Sequence, residues 1–434
     1  MDDIKLYAAT EVQLRELLKI TEACTSDVRM EFGMSKCKVL HINKGQWKSH
    51  QEREIVTGQT LDNMDTDETY KNLTKATNTF AIPVLTYSFG IIKWSHTDIE
   101  NIQIFIRTEL TKHRMSHPNA CKERLTIDRK QGGRGIIDIQ SIRTKQIKTL
   151  RHFFQSKQTN LHRAIVKADK NYTPLTLSSP DHAADTHNPI ESQEKINTWS
   201  QKALHGKHRY RITQDNINEK QSYTWLQDGQ LFPETEGFML AIQDQVIATR
   251  NYKKYIIKDP SVTNDNCRKC HQQKETIDHI TSACKTLAGT EYTARHNSVA
   301  KIIHQALATT DKLIESTDPY YNYTPTSSKA DKVTYLIDIA IPNDTNVQTT
   351  YAGKISKYTD LAIEVKRLWK QNKVVIVPLI MTVSGLTPNT FTPHLHQLGL
   401  DEKLHKIFQK SAGEQRADDP AGPSPNWRRD HGNP

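Results

Sequence analysis

The sequence predicts an α+β protein, and three observations predict it. Helical periodicity marks the N-terminal half. A compact group of cysteine and histidine residues interrupts the chain near residue 270. A strand–helix–strand order follows between residues 335 and 383. The chain has 434 residues, enough for about three domains. Apolar residues make up 36% of it and charged residues 25%, so cores are expected in segments within a polar chain. No apolar run reaches the ~18 residues that a membrane helix needs, and no secretory leader is recognisable. Lysine and arginine number 59 against 49 acidic residues, a net charge of +10 that is compatible with a polyanionic partner. Six cysteines are too few for a disulfide-stapled module and fit a reducing compartment.

Taken in order, the first element is a helix. Thr10 and Gln13 form a capping-box pattern, and Leu14, Leu17 and Leu18 share one face as far as about Ala23. A short strand is expected from Cys37 to Ile42, then a polar loop over residues 44–69. Residues 76–94 are largely apolar, interrupted among others by Asn78, Ser88 and Gly90, and read as a buried helix carrying Pro83. Residues 107–167 are strongly basic. Two readings stand for them, a solvated face or a contact with a nucleic-acid backbone. Within this run GGRG at 132–135 allows a tight turn or a close backbone approach, and lacks the features of a phosphate loop. Residues 171–194 read as a flexible linker, and 195–260 as a helical region. In the latter lies HGKHRYR at 205–211, whose Tyr210 is either a base-stacking residue or an ordinary core or surface tyrosine.

Cys267, Cys270, His279 and Cys284 follow in the spacing C-x2-C-x8-H-x4-C, inside a module expected over 261–310. Three thiolates and an imidazole at this spacing can close a tetrahedral structural zinc site. The alternative is free thiols in a local core, and His271 is a competing ligand. Further on, YLIDIAI at 335–341 reads as a buried strand bearing one acid, Asp338. A helix from Ala352 to Trp369 shows Ile355, Tyr358, Leu361, Val365 and Leu368 on one face, and 374–383 is a second buried strand. Asp338 with Lys354 or Lys357 is a candidate nuclease centre around a divalent cation; the alternative is a plain α/β unit with Asp338 in a surface or capping role. Residues 411–434 read as a disordered tail.

In this order the segments resemble the polyprotein of a non-long-terminal-repeat retrotransposon, the branch with a reverse transcriptase and a restriction-like endonuclease. MDDIKLYA resembles the catalytic hairpin of the polymerase palm, which implies Asp2 and Asp3 as metal-binding carboxylates. MEFGMSKCKVLHINKG at 30–45 resembles the next palm segment, with Lys36 in the family's lysine position. YKNLT at 70–74 is similar to a further segment, from which Asn72 and Thr74 depart. RKQGGRGIIDI at 129–139 resembles the family's post-palm segment, and the stretch 229–256 resembles the linker before the zinc knuckle. YLIDIAIPND and KISKYTDLAIEVKRLW resemble the endonuclease, with Asp338 at its second acidic position and Lys354 and Lys357 as candidates for its lysine.

The resemblance implies a partial palm over 1–75, a thumb-like basic region over 76–170, a knuckle over 261–310 and a partial endonuclease over 326–400. It also implies structural Zn2+, catalytic Mg2+, RNA and DNA as partners, and a nuclear location. The family's fingers and first palm aspartate lie ahead of the Asp-Asp pair, and its first endonuclease aspartate lies well upstream of the second, where only Asp331 stands here. The expectation is a chain that holds Mg2+ poorly and is catalytically inactive alone, yet binds nucleic acid. The alternative is a non-enzymatic interaction protein without that affinity.

Overall fold

The computed structural model describes residues 11–27, 38–39, 42–43, 46–47, 53–54, 60–63, 70–178, 191–229, 231–311 and 332–414. The architecture is mainly helical, which corrects the expected α+β class and its palm. The helix Glu11–Asp27 opens the described chain. The strands expected of a palm shrink to pieces of two to four residues. Lys38–Val39 runs parallel to Thr60–Asn63, Arg53–Glu54 pairs antiparallel with the latter, and Ile42–Asn43 pairs with Gln46–Trp47.

The apolar run at 76–94 is not one buried helix. It is helical without interruption as far as Ser88, continuing Tyr70–Ala76 through a wide π turn at Thr77–Ala81 into Ile82–Ser88. Pro83 has no N–H to continue the helical ladder, and the helix widens in the turn just ahead of it. Ile82 and Phe89 are buried, whereas Val84, Tyr87, Ile91 and Ile92 are exposed. Asn78, a polar interruption in the run, reaches across to the glycine cluster. Its amide donates to the Gly135 carbonyl at 2.7 Å, and its oxygen accepts the Ile137 N–H at 3.0 Å.

The basic stretch holds the helices His96–Lys112, Ile139–Ser156 and Asn160–Asp169. Ser95 and Asp98 form a full capping box at the first, and Asp138 caps the second. Three arginines of this stretch, Arg124, Arg129 and Arg134, are buried, so they form no part of a solvated face. Arg124 Nη1 pairs with Asp244 at 2.7 Å, and Arg129 forks onto both oxygens of Glu236 at 2.9 and 2.6 Å. The GGRG turn is what brings them inward. Gly132 and Gly135 take φ of 88° and 75°, and a Cβ on Gly133 would lie 1.9 Å from the Ile127 carbonyl oxygen.

The expected linker begins later than residue 171, because Leu175 and Leu177 are buried against Ile147 and the Asp169 carboxylate accepts the Leu177 N–H at 2.7 Å. The helix Ser192–Gln201 likewise starts ahead of residue 195. A central core then gathers Ile127, Trp199, Tyr223, Trp225 and Leu240.

The strand–helix–strand order near the C-terminus forms as Val333–Ala340, Val347–Leu368 and Lys373–Ile380. The strands pair in parallel, with Asp338 opposite Pro378. Among the described residues this is a two-stranded sheet, and it does not stand apart as an α/β unit. It packs under the helices Thr293–Asp311, Phe391–Gln397 and Leu404–Glu414 through Val299, Val377, Leu379, Phe391 and Phe408. Val347 and Leu386 enter the central core. The Trp225 backbone N–H donates to Gln409 Oε1 at 3.0 Å, and Gln243 Nε2 donates to the Ser384 carbonyl at 2.9 Å. The expected tail from 411 is corrected at its start: residues 411–414 belong to the last helix, and Ala412 is buried. Among the described residues no helix is long and apolar enough to cross a membrane.

Candidate metal centre

Cys267 and Cys270 sit on a tight turn. The Gln273 carbonyl accepts the Cys267 N–H at 2.7 Å, the Cys267 carbonyl accepts the His271 N–H at 2.9 Å, and Asn266 bridges Lys274. His271 turns with φ of 58° and is exposed, which removes it as a competing ligand. His279 opens a helical turn, His279–Ala283, and Cys284 ends it. The spacing x4 across that turn returns both side chains to the same point.

The ligand atoms of Cys267, Cys270, His279 and Cys284 all lie within 4.8 Å of one another. The Cys267 and Cys284 sulfurs are 4.0 Å apart, and the Cys270 sulfur is 3.3 Å from His279 Nε2. Zinc–sulfur bonds of about 2.3 Å in a tetrahedron place sulfurs about 3.8 Å apart, so the donor set fits the ion. Cys267 and Cys284 are fully buried. Burial pushes the Cys267 thiol up. The Gln272 and Gln273 backbone N–H groups point at the Cys270 sulfur and bring its thiol down to about 6. The buried sulfurs and the neighbouring thiolate form a site closed by four protein ligands. This is the arrangement of a structural zinc centre, with no position left for a substrate.

The shell around the cluster has no signature in the spacing. Glu275 is 1% exposed at its side chain and accepts the backbone N–H groups of Arg250 at 2.9 Å and Arg268 at 2.7 Å, while pairing with the Arg268 guanidinium. Tyr292 Oη receives the Cys284 N–H at 3.1 Å and donates to the Ile280 carbonyl at 2.6 Å. Arg295 lies over the Tyr292 ring and donates to the Thr281 carbonyl. These contacts fix the helical turn that carries His279 and Cys284.

Of the other candidate site residues, Asp338, Lys354 and Lys357 lie among the described residues and belong to no group of three or more metal-ligand side chains. Asp2 and Asp3 lie outside the described residues, as do Lys36 and Asp331. Asp338 is ion-paired with Lys354, Oδ2 to Nζ 2.6 Å. Lys357 points elsewhere, its Nζ donating to Tyr358 Oη at 3.1 Å and lying 4.7 Å above that ring. The Tyr358 hydroxyl, and the Asp338 charge to a lesser degree, hold the Lys357 ammonium above its ordinary pKa. Among the described residues the cysteine–histidine cluster is the only group of three or more such side chains with metal-ligand spacing, and Asp338 is not part of it. In HGKHRYR, His208 is buried, Arg209 is tied to Glu219 and Arg211 to Asp278, and Tyr210 is an exposed surface tyrosine. No family model and no curated protein matches this chain.

Proposed function

We propose that this chain is a retrotransposon-related protein that binds RNA or DNA through its zinc module, acting in the nucleus. The converging Cys267, Cys270, His279 and Cys284 donors carry the reading. The surface beside them suits a polyanion. Arg268 and Lys274 are 52% and 69% exposed at their side chains, and Lys269 and Lys285 are exposed with them. Tyr255 is exposed with Lys254 5.5 Å from its ring, a pairing suited to stacking on an unpaired base. The ordered motif resemblance over most of the chain supports the retrotransposon ancestry.

The test is fluorescence anisotropy with a labelled single-stranded RNA and the zinc-loaded full chain. Binding that weakens steeply with salt, and about tenfold or more after zinc is chelated, is the expected result. No binding by the zinc-loaded protein at low salt would leave the protein as an interaction module without nucleic-acid affinity.

A further inference from the structure

A cleft of about 850 Å³ lies away from the metal centre, between the helix His96–Lys112, the loop 116–125 and the helix Pro233–Gln243. Five cationic side chains line it, Arg107, Lys112, Lys122, Arg124 and Arg134, against one carboxylate, Asp244. We infer that this cleft is a binding site for a phosphate-ester anion of nucleotide size.

The floor and the rim do different things. On the floor, Arg124 is fixed in place. Its Nε donates to the Gly132 carbonyl at 2.8 Å, its Nη1 to Asp244 at 2.7 Å and its Nη2 to Gln243 at 2.8 Å, with Trp199 4.6 Å away across the guanidinium face. Asp244 is therefore matched by Arg124 and does not oppose the remaining charge. The neighbouring acids are matched as well: Glu109 pairs with Lys112, and Glu123 pairs with Lys202. On the rim, Arg107 and Lys122 are exposed and form no ion pair among the described residues. Like charges held around a concave, low-dielectric wall focus the field on an entering anion.

The volume falls within the range of about 300–1,000 Å³ typical of small-ligand sites. Leu125 and Leu240 add an apolar wall, which suits a base or a sugar better than a bare oxyanion. A free nucleotide and a nucleotide within a strand present the same chemistry to this cleft.

The experiment uses the zinc-loaded full chain and three probes: inorganic pyrophosphate, adenosine triphosphate and a fluorescein-labelled oligothymidylate. Affinity is measured for the native protein, for Arg107→Ala with Lys122→Ala, and for Lys157→Ala with Arg163→Ala. The last pair removes equal charge from exposed positions outside the cleft. The rim substitutions are expected to weaken binding by at least about tenfold and the control pair by less than about twofold. Saturable triphosphate binding points to a free nucleotide as the source, and binding confined to the oligothymidylate points to a strand. Equal losses in the two double variants overturn the inference, as does the absence of saturable binding by every probe. Cys270→Ser separates this inference from the zinc reading. It is expected to leave triphosphate binding unchanged, even if oligothymidylate binding falls.

Discussion

Glu236 is completely buried, and both its oxygens are held by one guanidinium whose Nε also donates to the Leu226 carbonyl at 2.7 Å. Deleting one partner of such a pair leaves an uncompensated charge inside the protein, at about 3–5 kcal/mol. Glu236→Ala is therefore expected to move the urea unfolding midpoint down sharply, and Arg129→Met with Glu236→Leu to recover much of the loss. An additive double variant would show that the pair does not act as a unit. Gly133 is a steric counterpart. A Cβ there would lie 1.9 Å from the Ile127 carbonyl oxygen, and backbone cannot yield as a side-chain tip can. Gly133→Ala is expected to cost about 3 kcal/mol in the same measurement, and an unchanged midpoint would contradict the close approach. The glycine cluster was readable from composition as a tight turn, but its purpose was not. Arg129 and Glu236 are 107 positions apart, and nothing local in either segment marks them as partners.

At the scale of the element, the metal loop is held from two sides, by four ligands and by Glu275, Tyr292 and Arg295. The ligands bind only when gathered, so metal binding and local folding are one equilibrium. One zinc per chain is expected by elemental analysis. Cys284→Ser is expected to lose it and to open the 265–295 region to hydrogen exchange. Retention of a full equivalent by that variant would place the metal elsewhere. The cluster was legible because its four residues span 18 positions and their chemistry is specific. The strand–helix–strand order was legible for a similar reason, since its periodicity is local. Of the expected face, Val365 is buried and Ile355, Tyr358 and Leu361 are half-buried, whereas Leu368 is 41% exposed. The palm was not legible in the same sense. Motif resemblance implied a sheet, but sheets are made by distant pairings, and the described strands between residues 38 and 63 are two to four residues long. The run at 76–94 misled through composition: apolar content does not show which of its side chains find a partner.

Across the whole molecule, the helical middle and the C-terminal sheet share one interior. Trp225, Leu386 and Val347 meet in the central core, and the Ser222 hydroxyl accepts the Thr387 N–H at 2.9 Å. Thr387 continues the connection to His405, with Oγ1 and Nε2 2.8 Å apart. His405 is buried beside Phe391 and Phe408, and burial, aided by the Lys406 charge, lowers its pKa to about 4. His208, in the central region, is also lowered well below the ordinary histidine value, by burial first and then by the Arg124, Arg211 and Arg209 charges. In the unfolded chain both would take up a proton near pH 6.5. The folded state thus binds fewer protons than the unfolded state between about pH 6.5 and 4, and stability rises with pH there. The contribution of His405 is fully present above about 6.5 and is lost as pH falls towards 4, on the order of 3 kcal/mol from this residue. Paired carboxylates such as Glu275, held down by Arg268 against the opposing effect of burial, lose their contribution in a lower window. Urea midpoints measured from pH 7.5 to 4 should therefore fall in two stages. His405→Gln keeps a polar group near Thr387 without the titration, and should flatten the upper stage while leaving the lower one. A native protein whose stability is level between pH 6.5 and 5 would rule out buried neutral histidines as its acid-sensitive joints.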